Sequence, residues 1–186
     1  MKLLLIAPIV LLLSFPAAAQ KTPVTEVKLP VDSATKLVTW ESVVQAQGTS
    51  KDVLYKRALE WFQTYFKNSG EVIRENDAAA GKITGKPRFR IYYPVDKNGT
   101  KGDAGTVQYT INVAVKEGKF KYELTEFNWK QASYYPIERW MDTKAQSYQP
   151  VYNHFLDETN IYVAEVLQSL KSAMTSEKTA KDKDNW

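Results

Sequence analysis

The chain has 186 residues, no cysteine, one histidine and a net charge of +4. The absence of cysteine excludes disulfides, thiolate nucleophiles and thiolate metal sites. Acidic and basic residues interleave along the chain without the concentrated basic surface of a nucleic-acid protein, so no nucleic-acid partner is expected. The length suits one domain, and its stability must come from a packed core.

Residues 1–19, "MKLLLIAPIVLLLSFPAAA", carry one lysine, an apolar run from Leu3 to Leu13 and then small residues. This is the pattern of a cleavable signal peptide. The run is roughly half the ~20 apolar residues a spanning helix needs. Gln20 stands where a lipid-anchored bacterial product would have cysteine. The expected product is exported, periplasmic or extracellular, not lipid-anchored, with no transmembrane segment in its mature form. Residues 20–30 read as an extended leader, 31–174 as a single domain and 175–186 as a charged, disordered tail.

"TKLVTWESVVQAQG" alternates with period two and is rich in β-branched and aromatic residues, which predicts a strand. Thr49 and Asp52 have capping-box spacing, and Leu54, Ala58, Trp61, Phe62 and Tyr65 form the apolar stripe of a helix stopped at Asn68 to Gly70. "EVIREND" predicts a short strand, and "AAAGKITGKPRFRIYYP" a longer one, at a sheet edge or bulged where Pro87 sits. "VDKNGTKGDAG" is a turn. Its "NGT" and "GTKGDAG" have the look of a glycosylation acceptor and a phosphate loop, but a hairpin connection is favoured.

Val107, Tyr109, Ile111, Val113 and Val115 then alternate against Thr106, Gln108, Thr110, Asn112 and Lys116. The chain turns at Gly118, and Phe120, Tyr122 and Leu124 resume the apolar side. Phe127 and Trp129 are out of step, predicting a bulge near Thr125 or Glu126. "KQASYYPIERWMDTKAQSYQP" reads as an ordered loop with one turn of helix at "PIERWM". Pro150 suits the first turn of a second long helix, whose stripe runs from Phe155 to Met174. The expected architecture is α+β in two layers, β-α-β-β-β-β-α. A curved antiparallel five-stranded sheet has two helices packed on one face and the other face open.

The export signal, "KLPVDSATKLVTWESVVQAQGTSKDVLYKRALEWF", "AGKITGK", "GTVQYTINVAVKEGKFKYELTEF" and "YYPIERWM" resemble domain of unknown function 4468. This is an exported bacterial family with a TATA-binding-protein-like (TBP-like) fold. The resemblance runs from about Leu29 to Leu170. It implies the fold and carries no established activity, substrate or catalytic residue, because fold does not transfer function.

No catalytic signature emerges. His154, with Asp157 and Glu158 on the same helical turn, is read as a solvated helix start. Asp96 and Asp103 flank a loop without the calcium-binding pattern of an EF-hand. No catalytic, metal or cofactor-binding residue is assigned. The candidate binding surface is the open sheet face, with Gln108, Thr110, Asn112, Lys121, Glu123, Arg88 and Arg90. Tyr134, Tyr135 and Trp140 of the aromatic loop are further candidates, although plugging the open end of the sheet is the favoured role of that loop. The expected function is non-enzymatic binding of a protein, peptide or glycan; the alternative is an envelope hydrolase using Asp or Glu carboxylates.

Overall fold

The structure is a computed structural model that describes residues 26–176. The expected signal peptide, the first part of the expected leader and residues 177–186 of the expected tail lie outside the described residues. Strands are β1 (Trp40–Gln45), β2 (Ile73–Asp77), β3 (Lys82–Gly85), β4 (Arg88–Tyr92), β5 (Asp103–Lys116), β6 (Lys119–Lys130) and β7 (Tyr134–Pro136). Helices are α1 (Lys51–Tyr65), the short α2 (Ser69–Val72) and α3 (Val151–Thr175), with a 3-10 helix at Ile137–Met141. None of the described helices is long and apolar enough to cross a membrane.

All strand pairs are antiparallel, in the order β1-β6-β5-β3-β2. β4 also lies against β5, end to end with β3, and β7 lies against β6, end to end with β1. Among the described residues, seven strands therefore fill five rows. The expected third strand is split at Lys86 and Pro87, since proline has no donor to continue the ladder. The expected loop contains β7, a three-residue strand that exists only by pairing with Asn128 to Lys130.

The central hairpin of β5 and β6 turns at Gly118, whose φ of 69° suits glycine. The expected bulge is present: Glu126 and Phe127 together oppose Tyr109, between the pairs Thr110 with Thr125 and Gln108 with Asn128. Glu126 takes a positive φ of 56°, and the extra residue returns Phe127 and Trp129 to the apolar side. Phe127 is fully enclosed and stacks on Tyr109 with ring centroids 5.0 Å apart.

α1 and α3 pack on the apolar side of the sheet. Leu54, Ala58, Trp61 and Phe62 of α1 and Phe155, Val163, Val166 and Leu170 of α3 are buried there. The indole of Trp61 donates to Ser169 Oγ at 3.0 Å, and Arg57 donates to the Met174 carbonyl at 2.9 Å, tying the helices together. The expected capping box is displaced. Ser50 is the N-cap, accepting from Val53 N, and the Lys51 N–H donates to Glu117 Oε2 in the β5–β6 turn. α1 ends at Tyr65, and Asn68, expected within its stop, is the N-cap of α2. Leu29, assigned to the leader, is a core residue, and Val27 N donates to Asn153 Oδ1 at 2.7 Å.

Gly85 of β3 lies directly against Phe62 of α1. A Cβ there would meet Phe62 Cε1 at 2.7 Å, Val72 Cγ1 at 3.2 Å and Ile111 Cγ2 at 3.3 Å. Phe62 is fully enclosed and has no room to retreat. Gly85→Ala is expected to cost about 1–3 kcal/mol through overpacking, read as a lowered urea midpoint. An unchanged midpoint would show that α1 sits further from β3.

Candidate binding site on the polar sheet face

Because cross-strand partners share a face, the ladder registers locate the candidate residues. Arg88 pairs with Gln108, which pairs with Asn128; Arg90 pairs with Thr106, which pairs with Lys130 and then Tyr134. Asn112 pairs with Glu123, and Thr110 with Thr125. Arg88, Arg90, Gln108, Thr110, Asn112, Lys121, Glu123 and Tyr134 thus occupy the face opposite α1 and α3.

Two candidates do not belong to this surface. Trp140 is fully enclosed, stacked on Tyr152 at 5.8 Å and edge-on to Trp129 at 5.6 Å, so it plugs the core and meets no partner. Tyr135 is paired with Trp129 on the apolar side, half-buried and edge-on to that indole at 6.1 Å. Thr110 lies on the polar face but is itself buried, its hydroxyl donating to Glu126 Oε2 at 2.6 Å.

The polar face divides into two zones. In the first, side chains satisfy one another across the strands. Lys82 pairs with Glu75 at 2.9 Å, the Thr84 hydroxyl lies 2.9 Å from Asn112 Oδ1, and Asn112 Nδ2 donates to Glu123 Oε2 at 2.8 Å. Lys121 pairs with Glu41 at 2.8 Å. Hydrogen bonds from Lys82 and then Thr84 hold the Glu75 carboxyl below the usual carboxylate range. That is opposite to what a general acid needs.

The second zone lies over the bulge. Here a shallow depression of about 490 Å³ is lined by Arg74, Lys86, Gln108, Glu126, Asn128 and Tyr134, among others. Lys86 Nζ is 3.6 Å from Glu126 Oε2, and Asn128 Nδ2 donates to the Glu126 carbonyl. The Arg74 guanidinium and the Gln108 amide have no side-chain partner among the described residues. Tyr134 is 62% exposed at the rim. Arg74, Lys86, Glu126 and Asn128 were not among the sequence candidates. The parity of "FNWK" beyond the bulge would have placed Asn128; nothing in "EVIREND" singles out Arg74.

The other sequence-level candidates resolve into structural roles. Glu158 accepts from Tyr92 N at 2.7 Å and from Lys101 Nζ at 3.0 Å, while His154 Nε2 stands 3.8 Å away. Asp96 accepts from the backbone of Asn98 and Thr100, and Asp103 pairs with Arg90 and accepts from Gly105 N. Among the described residues, no group of three or more histidine, aspartate or glutamate side chains is placed to hold a metal ion.

Residues 40–130 match the model of the family described as "Domain of unknown function (DUF4468) with TBP-like fold". A crystal structure of a DUF4468 family protein from Bacteroides ovatus ATCC 8483 is similar at a TM-score of 0.63 and 19% identity, over 80% of this chain and 92% of that one. A TBP-like protein from Parabacteroides distasonis ATCC 8503 is similar at 0.59 and 12% identity, over 78% and 96%. No curated protein matches the chain. Residues 40–130 are a DUF4468 domain, and the fold is TBP-like α+β.

Proposed function

We propose that this DUF4468 domain is an exported, non-enzymatic binding module that engages a protein, peptide or glycan through the depression over the β6 bulge. The observation that carries the reading is the set of unengaged polar groups there. Arg74 and Gln108 offer side-chain donors with no partner among the described residues, beside an exposed phenol at Tyr134. In the neighbouring part of the face, by contrast, Lys82, Asn112 and Lys121 are engaged with Glu75, Glu123 and Glu41. A polar site with a few convergent donors and one aromatic edge suits a hydrogen-bonding partner. The N-terminal signal-peptide pattern supports export.

Catalysis by paired carboxylates is the weaker reading. Glu41, Glu75 and Glu126 each lie against a lysine, and Glu123 is held by Asn112, which suits a surface more than a reaction centre.

A photo-activatable residue at Gln108 is expected to crosslink a defined partner from the envelope or medium of the native host. The same residue at Lys56, exposed on the outer side of α1, should not. Equal yields from the two positions, or none from Gln108, would reject this surface.

A further inference from the structure

The rows outside the central hairpin are unequally filled. Along β6, the outer place is taken first by β1 and then by β7. Along β5, the neighbours are β3 and then β4, and β2 lies against β3 alone. No described strand lies against the outer edge of β4.

The backbone pattern defines this vacancy. Tyr109 N donates to the Pro87 carbonyl at 3.1 Å, which turns the polar groups of Pro87, Phe89 and Ile91 toward β5 and those of Arg88 and Arg90 outward. Both ends of the edge are closed: Lys86 N donates to Val72 O at 2.8 Å, and Tyr92 N donates to Glu158 Oε2 at 2.7 Å. Between them, the N–H groups of Arg88 and Arg90 have no partner among the described residues. The edge opens onto a groove of about 920 Å³ between β4, α2 and the end of α1. Its apolar side is formed by Tyr65, Phe66, Phe89 and Tyr162, and Tyr162 is stacked on Phe89 with ring centroids 4.0 Å apart. Its polar side carries Arg88 and Arg90, with side chains more than half exposed.

We propose that the edge of β4 is a strand-acceptor site for an extended peptide of alternating acidic and apolar residues, distinct from the depression over the bulge. A guest strand presents successive side chains to opposite faces. Residues on one side of it would meet the two arginines, and those on the other would meet the aromatic floor. Backbone hydrogen bonds to Arg88 and Arg90 would supply affinity, and the two side-chain environments would supply specificity. Glu71, 3.9 Å from Arg88, and Asp103, paired with Arg90, are exposed partners that a guest carboxylate can replace. A second copy is a poorer guest, because pairing β4 with itself in antiparallel register brings arginines against arginines.

The test titrates the full chain with three labelled, end-capped peptides: Glu-Val-Glu-Val-Glu-Val, its Lys-Val counterpart, and the acidic peptide N-methylated at the residues that pair with β4. The acidic peptide is expected to bind at least tenfold more tightly than either control. Amide shifts in nitrogen-15 spectra should centre on Arg88 and Arg90, and R88E/R90E should reverse the charge preference. The N-methylated comparison uses the unaltered protein, so the test stands even if that variant does not fold. The proposal is overturned by no binding, by equal affinity for the N-methylated peptide, or by shifts centred on Arg74 and Gln108. Sedimentation showing the β4 edge occupied by a second copy would overturn it as well.

Discussion

Trp140→Ala is expected to lower stability by about 3–5 kcal/mol, the usual cost of truncating a large enclosed aromatic, and to shift the urea midpoint without changing the slope. The ring is fully buried, stacks on Tyr152 and packs against Trp129 and Phe155. Its removal would leave a cavity where the 3-10 helix, β6 and α3 meet. The effect belongs to the ring and not to the indole N–H, because Trp140 Nε1 is buried without a hydrogen-bond partner among the described residues. Trp140→Phe is therefore expected to retain most of the stability, giving up volume but relieving a buried donor whose isolation costs about 1–3 kcal/mol. If alanine and phenylalanine were equally damaging, or alanine harmless, the plugging role of residues 137–141 would be wrong. Trp129 is a useful contrast. Its indole donates to the Ala104 carbonyl at 2.9 Å, so a phenylalanine there forfeits a bond as well as volume.

Alkaline unfolding should be steep for a protein without cysteine. Tyr109 is enclosed between the sheet and α3, and burial pushes its phenol well above its ordinary value, with Tyr162 adding to the rise. Burial likewise pushes Tyr162 up to about 12, its hydroxyl 3.3 Å from that of Tyr109. A raised phenol keeps its proton in the folded state after the unfolded chain has lost it. The associated stability is fully present below the unfolded pKa near 10 and is lost as pH rises through the folded values. For Tyr162 the loss approaches about 2–3 kcal/mol by pH 12. Urea midpoints measured from pH 9 to pH 12 should fall in this window. Lys121, raised by its hydrogen bond to Glu41, contributes in the same direction. Tyr109→Phe with Tyr162→Phe should flatten the fall substantially. A double variant as steep as the parent would mean that other groups carry the alkaline transition.

The architecture was legible wherever periodicity is strong. The alternation from Val107 to Val115 and the stripe from Phe155 to Met174 have the periods their elements show, and the slip at Phe127 marked the bulge. What sequence could not supply was anything created by a partner distant in the chain. Ser50 and Glu117 cap α1 because the β5–β6 turn lies beside it. β7 is a strand because β6 runs past it. For the polar face, parity placed the side chains, but exposure depended on a third strand or a covering residue. Thr110 disappears beneath Glu126, while Arg74, from a strand with almost no pattern, lines the depression. The aromatic loop was ambiguous for the same reason: Tyr134 and Trp140 lie six residues apart, one open and one enclosed, and only the packing of α3 separates them.

The division of the sheet into long inner and short outer strands also bears on self-association. β5 and β6, with 14 and 12 residues, are the long, apolar-rich strands, and each is paired on both sides. The outer strands β1, β2, β4 and β7 have only three to six residues each. Several carry Glu, Asp or Arg on their outward faces, features that resist edge-to-edge stacking. The chain can leave a strand place vacant beside β4 without offering the long, flat, uncharged template on which fibrils grow.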